Sequence, residues 1–464
     1  MSKSADTRAA ARTARLGRRV LAACVALGAL SGAPASAETL QDALMAAYLN
    51  NPQLEAQRAG QRATDEGVPQ ALSGWRPNVQ ANASYGKSHR DIASGPEGTT
   101  SPLSAEVSVT QPVYTGGRVQ NSVDAAEARV RQGRASLAAV EQDVLLSAVT
   151  AYMNVLRDLK VVELNRNNVD VLRAQLDASR DRFEVGEATR TDVAQSQARL
   201  AGSQSVLLQS EAQLTSSRAA YARIVGRMPG TLEQPPSLPM LPTSEDEALN
   251  TAFDRNPTLQ AARFADEAAS ADVRRAKSDL NPSVSVTGSV GYGRDTVAGA
   301  TESTQAQIAA RLNVPLYQSG RVFSQVRQAQ ALKSQRRIEI VSATRNVEEQ
   351  VASAWSNLLA ARATIESAQQ QVRANEIALE GVRQELLVGA RTTLDVLDAE
   401  QELLNSRVSL VTAVRDEYVA AFQVLSAVGL LNVDTLSLPV AAYDPTTYYD
   451  RVRNKWFGYD EAMQ

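Results

Sequence analysis

Two stretches, residues 116–185 and 320–388, run without a proline and almost without glycine. Proline breaks helix interiors and glycine weakens them, so each stretch reads as a single helix. In the first, Leu145, Val149, Tyr152, Leu156 and Leu159 step by three or four positions, the spacing of an apolar stripe. About 68 residues at ~1.5 Å each make a rod of ~100 Å, which no globule encloses. Coiled-coil struts are therefore expected. Aromatics are only 5% of the chain, as long Ala/Gln/Leu-rich coils have and large compact cores do not.

The two rods belong to a duplicated unit. Asn51-Pro52 recurs as Asn256-Pro257, and Arg76-Pro77 as Asn281-Pro282. Pro112-Val113-Tyr114-Thr115-Gly116-Gly117-Arg118 recurs as Pro315-Leu316-Tyr317-Gln318-Ser319-Gly320-Arg321. Ala151-Tyr152 with Asn154 and Leu156 returns as Ala354-Trp355 with Asn357 and Leu359. Val185-Gly186 followed by Thr191-Asp192-Val193 returns as Val388-Gly389 followed by Leu394-Asp395-Val396. Several matches in the same order at nearly constant spacing predict repeats over residues 38–230 and 244–429. A Pro-rich linker, residues 231–243, joins them, and a tail, residues 430–464, follows.

Each repeat reads as an opening helix, a β-hairpin, a long helix and a returning helix. The opening helix of the first is expected as one piece over residues 39–73. The hairpins fall at 77–114 and 281–317, the long helices at 116–185 and 320–388, the returning helices at 189–226 and 392–428. A returning helix and an opening helix together match the length of a long one. Each long helix is thus expected to be faced by two short ones stacked end to end. In the hairpins apolar and polar residues alternate: Val79, Ala81, Ala83 and Tyr85 against Asn78, Gln80, Asn82 and Ser84. Val284, Val286, Val290 and Tyr292 oppose Ser283, Ser285, Thr287 and Ser289. Ala105, Val107 and Val109 mark another strand, and Ala306, Ile308, Ala310, Leu312 and Val314 alternate with Gln305, Gln307, Arg311 and Asn313. Period two means a strand with one greasy and one polar side. Tyr85, Tyr114, Tyr292 and Tyr317 stand near strand ends, where bilayer-interface aromatics belong, and the hairpin tips are polar. Four strands cannot close a barrel, so a lipid-facing sheet requires oligomers.

The N-terminus sets the compartment. Arg12, Arg15, Arg18 and Arg19 precede an apolar run at 20–30, and Ala35-Ser36-Ala37 follows. This is a secretory signal peptide, expected over residues 1–37. The apolar run is too short for an anchor helix. Cys24, the single cysteine, leaves with the signal, and only residues 20–23 separate it from Arg19, too few for a lipoprotein signal. Removing 1–37 takes six basic residues and one acidic one, moving the formal charge from −3 to −8. A mildly acidic chain without a basic cluster argues against nucleic acid.

The Asn-Pro helix starts, the Pro-x-Tyr-x-x-Gly-Arg junctions at Pro112 and Pro315, and the Val-Gly…Asp-Val turns resemble the TolC-type outer-membrane efflux proteins. The resemblance covers residues 38–430. It implies a mainly α fold of long antiparallel helical hairpins with four β-strands per subunit, three subunits sharing a twelve-stranded transmembrane β-barrel. It further implies an outer-membrane export channel, a homotrimer whose α-helical tunnel crosses the periplasm. A periplasmic adaptor and an inner-membrane transporter, ABC or proton-driven, would dock at its tip. The aromatic tail resembles those of members used for protein secretion and is expected to wrap the tunnel's waist.

By the same match, the helix turns at Gly186 and Gly389 form the periplasmic gate. Asp395 and Asp398 would face the lumen, six carboxylates in a trimer that attract and are blocked by cations. Arg391 resembles the gate arginine, Asp192 its acidic partner in the neighbouring turn, and Thr191 and Gln175 further members of the network. Leu386 departs from the tyrosine usual there. A structural reading stands beside this one: Thr189-x-x-Asp192 and Thr392-x-x-Asp395 also read as helix N-terminal capping boxes. Only Asp398 lacks that explanation. No catalytic set, metal-ligand cluster or phosphate loop is visible, so neither an enzyme nor a cofactor is expected. His89 reads as a solvated loop residue. The competing function is a periplasmic coiled-coil scaffold or adhesin without a pore, whose strands would pack against its own helices.

Overall fold

The structure, a computed structural model, describes residues 37–90, 98–297 and 300–459. The expected signal up to residue 36, with Cys24, lies outside the described residues, as do 91–97 and 298–299 in the hairpin tips and the last residues of the tail.

The opening segment is not one helix. Helix α1 (Leu40–Asn50) stops where Pro52 removes a backbone donor, and α2 (Pro52–Asp65) starts anew with Asn51 as its cap. Asn51 Oδ1 accepts from the Gln53 amide at 2.9 Å. A short α3 (Gly67–Leu72) and a 3-10 turn (Ser73–Trp75) lead into β1 (Asn78–Tyr85). The polar tip beyond β1 carries a small ladder of its own, β2 (Ser88–Arg90) with β3 (Gly98–Thr100), so His89 sits in a strand rather than a loop. It remains exposed, its Nδ1 3.1 Å from Thr99 Oγ1.

Next come β4 (Leu103–Tyr114), the rod α4 (Arg118–Glu184) and its return α5 (Arg190–Val225). The second copy repeats the plan. Helices α6 (Glu245–Arg255) and α7 (Pro257–Ser278) are parted by Asn256-Pro257, then follow β5 (Ser283–Val297) and β6 (Ala300–Asn313). The rod α8 (Arg321–Leu387) returns through α9 (Thr393–Val428), and α10 (Thr446–Val452) lies in the tail. Asn256 Oδ1 accepts from the Thr258 and Leu259 amides at 3.0 and 3.2 Å, the same cap as Asn51 provides.

Two compact units cut across the repeats. The first takes the chain up to Ala47, Ala148–Leu238 and Gln371–Thr412; the second takes Tyr48–Ser147, Pro239–Gln370 and Ala413–Gln464. In the first unit Tyr152 and Tyr221 are fully buried. Tyr152 donates to the carbonyls of Glu38 and Glu233 at 2.9 and 2.6 Å, and Tyr221 to Glu38 Oε1 at 2.7 Å. Burial pushes both phenols above their ordinary pKa, so they remain donors. Arg227 closes on the same carboxylate at 2.8 Å. Farther along, α5 lies on α4 through Ser217–Asp158, Ser179–Ser196 and Arg166–Glu211. Likewise α9 lies on α8 around Leu379, Val396 and Leu403.

In the second unit, α7 lies on the rod of the first repeat. Its Asp272, Glu267 and Arg274 pair with Arg129, Arg131 and Asp124, all on α4, which α2 also contacts through Gln61 and the Val130 carbonyl. Residues 321–346 of α8 stay largely exposed, Phe323, Leu332, Ile338 and Val341 among them.

Candidate functional site: a two-faced sheet and two helix turns

In the second unit the strands form one antiparallel sheet in the order β1-β4-β5-β6. Its centre joins the two repeats, β4 to β5. Register aligns the greasy residues in rows: Val79, Val109, Gly288, Ile308, then Ala81, Val107, Val290, Ala306. The opposite face carries Gln80, Ser108, Ser289 and Gln307 in one row and Asn78, Thr110 and Thr287 in another. Ser84 and Ser104 bond at 2.7 Å and Thr110 and Thr287 at 3.2 Å on that side.

Nothing among the described residues covers the apolar face. Val79 is 64% exposed and Ile308 85%. Val107, Val109, Val290 and Leu312 are exposed as well. Burying such a side chain fully is worth about 1.5–3 kcal/mol, so six of them at 40–85% exposure forgo ~5–11 kcal/mol, comparable to a domain's whole stability. Along β5 the apolar positions from Val284 to Tyr292 span ~26 Å, close to the ~25 Å hydrophobic band of an outer-membrane barrel. Tyr85 and Tyr292 lie toward the tips of the hairpins, Tyr114 and Tyr317 toward their base, so aromatics frame the band at both ends. Two edges, β1 and β6, have no strand partner among the described residues.

In the first unit, both rods reverse through a glycine with left-handed backbone, Gly186 at φ 83° and Gly389 at φ 76°. The amide of Glu187 returns to the Arg182 carbonyl at 2.8 Å and that of Ala390 to the Glu385 carbonyl at 2.9 Å. Thr189 and Asp192 then cap α5 reciprocally. The Thr189 amide and hydroxyl donate to Asp192 Oδ2 at 2.9 and 2.7 Å, and the Asp192 amide to Thr189 Oγ1 at 3.2 Å. Thr392 and Asp395 repeat the motif, with the amide and hydroxyl of Thr392 both 2.8 Å from Asp395 Oδ2. These donors, the backbone amides foremost, hold both carboxyls below the ordinary aspartate pKa.

The remaining expected residues have other partners within the chain. Arg391 Nε donates to Glu385 Oε2 at 2.8 Å, which raises the arginine's pKa further, whereas Asp192 is engaged by Thr189. A single chain therefore does not join Arg391 to Asp192. Asp398, three positions beyond Asp395 and so on the same side of α9, pairs with Arg199 of α5. Gln175 takes the Ser179 hydroxyl on its carbonyl at 2.9 Å, while its own Nε2 is buried without a hydrogen-bond partner among the described residues. Thr191 is exposed, and Leu386 packs against Leu379, Val396 and Leu403.

Arg199 and Glu385 are the members that reading the sequence missed. Glu385 lies six positions before Arg391 across the turn, so local spacing could have found it. Arg199 could not be found that way, because periodicity does not say that α5 and α9 are neighbours. Among the described residues no helix is long and apolar enough to cross a membrane, and no three His, Cys, Asp or Glu stand together as metal ligands.

Comparison with known proteins decides the identity. The profile of the Outer membrane efflux protein family matches residues 43–227 and 248–430. The chain belongs to the outer membrane efflux protein family.

It is 36% identical to the outer membrane efflux protein BepC of Brucella suis over 445 residues, covering 95% of this chain and 96% of that one. It is 30% identical to the outer membrane protein TolC of Vibrio cholerae over 416 residues, 88% of this chain and 94% of the relative. Among solved structures, the Campylobacter jejuni CmeC outer membrane channel superposes with a TM-score of 0.77 at 15% identity, covering 92% of this chain and 94% of its own. VceC of Vibrio cholerae does so with a TM-score of 0.73 at 21% identity, over 84% and 96%. This efflux protein is thus an outer-membrane export channel with a periplasmic helical part, in a family of channel proteins; the poreless scaffold finds no support.

Proposed function

We propose that three copies of the chain close a twelve-stranded barrel, β6 of each pairing with β1 of the next, above a tunnel of the α4–α5 and α8–α9 hairpins. The observation that carries this reading is a four-stranded sheet with a bare apolar face and two unpaired edges. An open edge is untenable in hydrocarbon, and four strands are about half the minimum for a barrel. Two copies would give eight strands and three give twelve; the family resemblance favours three. The exposed apolar residues of α8 supply a surface for the neighbouring subunit to cover.

The channel works with a periplasmic adaptor and an inner-membrane transporter, and the turns at Gly186 and Gly389 form its gate. Asp395 and Asp398 line the constriction, while Arg391, Asp192, Thr191 and Gln175 hold the turns of adjacent hairpins together. Each turn is already capped by its own threonine, so opening needs to break only the links between hairpins, about 0.5–3 kcal/mol apiece. Planar-bilayer recording tests the whole proposal. The purified protein should form long-lived channels blocked by multivalent cations from the periplasmic side. The double variant Asp395→Asn, Asp398→Asn should lose that block with conductance retained. Absence of channels removes the barrel; unchanged block removes these residues from the gate.

A further inference from the structure

Beyond α9 the chain moves along α4 in one direction. The Val433 amide donates to Glu141 at 3.4 Å; later, Tyr449 and Arg453 reach Glu127 at 3.5 and 2.9 Å, and Arg134 lies 5.1 Å over the Tyr449 ring. Going from Glu141 to Glu127 is about 14 residues, ~21 Å of helix, toward the end of α4 that joins β4. The contacts on the other flank keep pace. The Tyr443 amide donates to the Tyr48 hydroxyl at 2.8 Å, and the Tyr448 hydroxyl donates to Glu66 at 2.7 Å. The last is with Arg76, just ahead of β1. Its Nη1 donates to the Lys455 carbonyl at 2.7 Å and its guanidinium lies 4.9 Å over the Trp456 ring.

The strap thus delivers residues 455–459 to the base of the sheet. There Trp456, Phe457 and Tyr459 are 57%, 85% and 100% exposed, beside a strand whose outward row begins at Val79. Three bare aromatics are costly in water. At the boundary of a bilayer they are favourable, since Trp and Tyr bury a ring and keep a polar atom among the headgroups. Tyr114, Leu316 and Tyr317 are exposed at the same end of the sheet, so the patch continues the lipid-facing band.

We infer that the C-terminal strap is a membrane-interface anchor, with Trp456, Phe457 and Tyr459 seated in the periplasm-facing leaflet of the outer membrane. This rests on the sheet lying in that membrane. The test uses the full mature chain, reconstituted in phosphatidylethanolamine–phosphatidylglycerol vesicles, with Trp75→Phe and Trp355→Phe leaving Trp456 as the only tryptophan. Phospholipids brominated near the headgroup should quench its fluorescence at least twofold, and aqueous acrylamide should have little effect. Quenching by acrylamide without quenching by bromine overturns the anchor. Shielding from both, which would place the ring against protein or a second copy, does so equally. A chain with all three tryptophans replaced by Phe and Ile308→Trp added is the control for the sheet. If that probe is quenched by bromine and Trp456 is not, the strap inference alone fails; if neither is, the membrane placement of the sheet fails with it. Should the tryptophan variants not fold, Phe457→Cys in the otherwise cysteine-free mature chain carries a nitroxide instead. Greater access to oxygen than to a nickel chelate supports the anchor, and the reverse overturns it.

Discussion

Asp395 and Asp192 carry two readings that a sequence cannot separate. Their place three residues after a threonine reads equally as a cap or as a gate, and the bonds to Thr392 and Thr189 establish the cap in each hairpin. Both carboxyls titrate below the ordinary value of 3.8, so the stabilisation is complete above that value and is lost as pH falls through the lowered one. The helix turns should therefore show the same hydrogen-exchange protection at pH 6 and 8 and lose it only below about pH 4. Thr392→Val, which removes the hydroxyl, should cost about 1 kcal/mol of local stability at neutral pH, measured as faster amide exchange in the first turn of α9. Asp398 answers to different physics. Its pair with Arg199 leaves the two side chains 55% and 41% exposed, so solvent screening keeps it below ~1 kcal/mol. Such a pair contributes little to the fold. It escaped the sequence because α5 and α9 are far apart in the chain.

At the scale of elements, the ends of the helices were the most legible feature. The rods were expected over 116–185 and 320–388 and span Arg118–Glu184 and Arg321–Leu387, because glycines and the Thr caps punctuate them. The opening segment was misread as one helix although Asn51-Pro52 stood in plain view, since its composition is uniformly helical on both sides. The β2–β3 ladder was invisible, as a polar tip has no alternation to betray it. Alternation predicted which side of each strand is greasy but not that α7 would lie on α4, for amphipathic patterns name a face and no neighbour. One junction depends on close approach. Gly429, at φ 87°, has space for no side chain; a Cβ there would lie 2.5 Å from the Arg255 carbonyl oxygen and 2.9 Å from the Asn256 amide. Asn256 Nδ2 also holds the Ala427 carbonyl at 2.9 Å, so the end of α9 and the α6–α7 break form one joint. Gly429→Ala should destabilise it by about 3 kcal/mol, combining backbone strain with a clash that cannot relax, and should lower the denaturant midpoint of the detergent-solubilised protein.

For the whole molecule, the proposed assembly and membrane placement both rest on the same bare face. Ile308→Arg should cost ~2–4 kcal/mol where the position lies mid-bilayer, whereas Gln307→Arg, one residue away on the polar side, should be accepted. The measurement is the fraction of heat-modifiable oligomer recovered from outer membranes. Equal recovery for both variants would contradict the assignment of faces.

The pairing of β4 with β5 also bears on how the protein is made. Thr110 and Thr287, which touch across that ladder, are 177 positions apart. At the usual ~5–20 residues per second of synthesis, the first hairpin waits roughly 10–35 s for its other half to be translated. Through that interval its oily flank and free strand edge are bare in an aqueous compartment. The order of the ladder thus predicts that a chain arrested between the two hairpins aggregates more than the complete chain, which a sedimentation assay of the two would show.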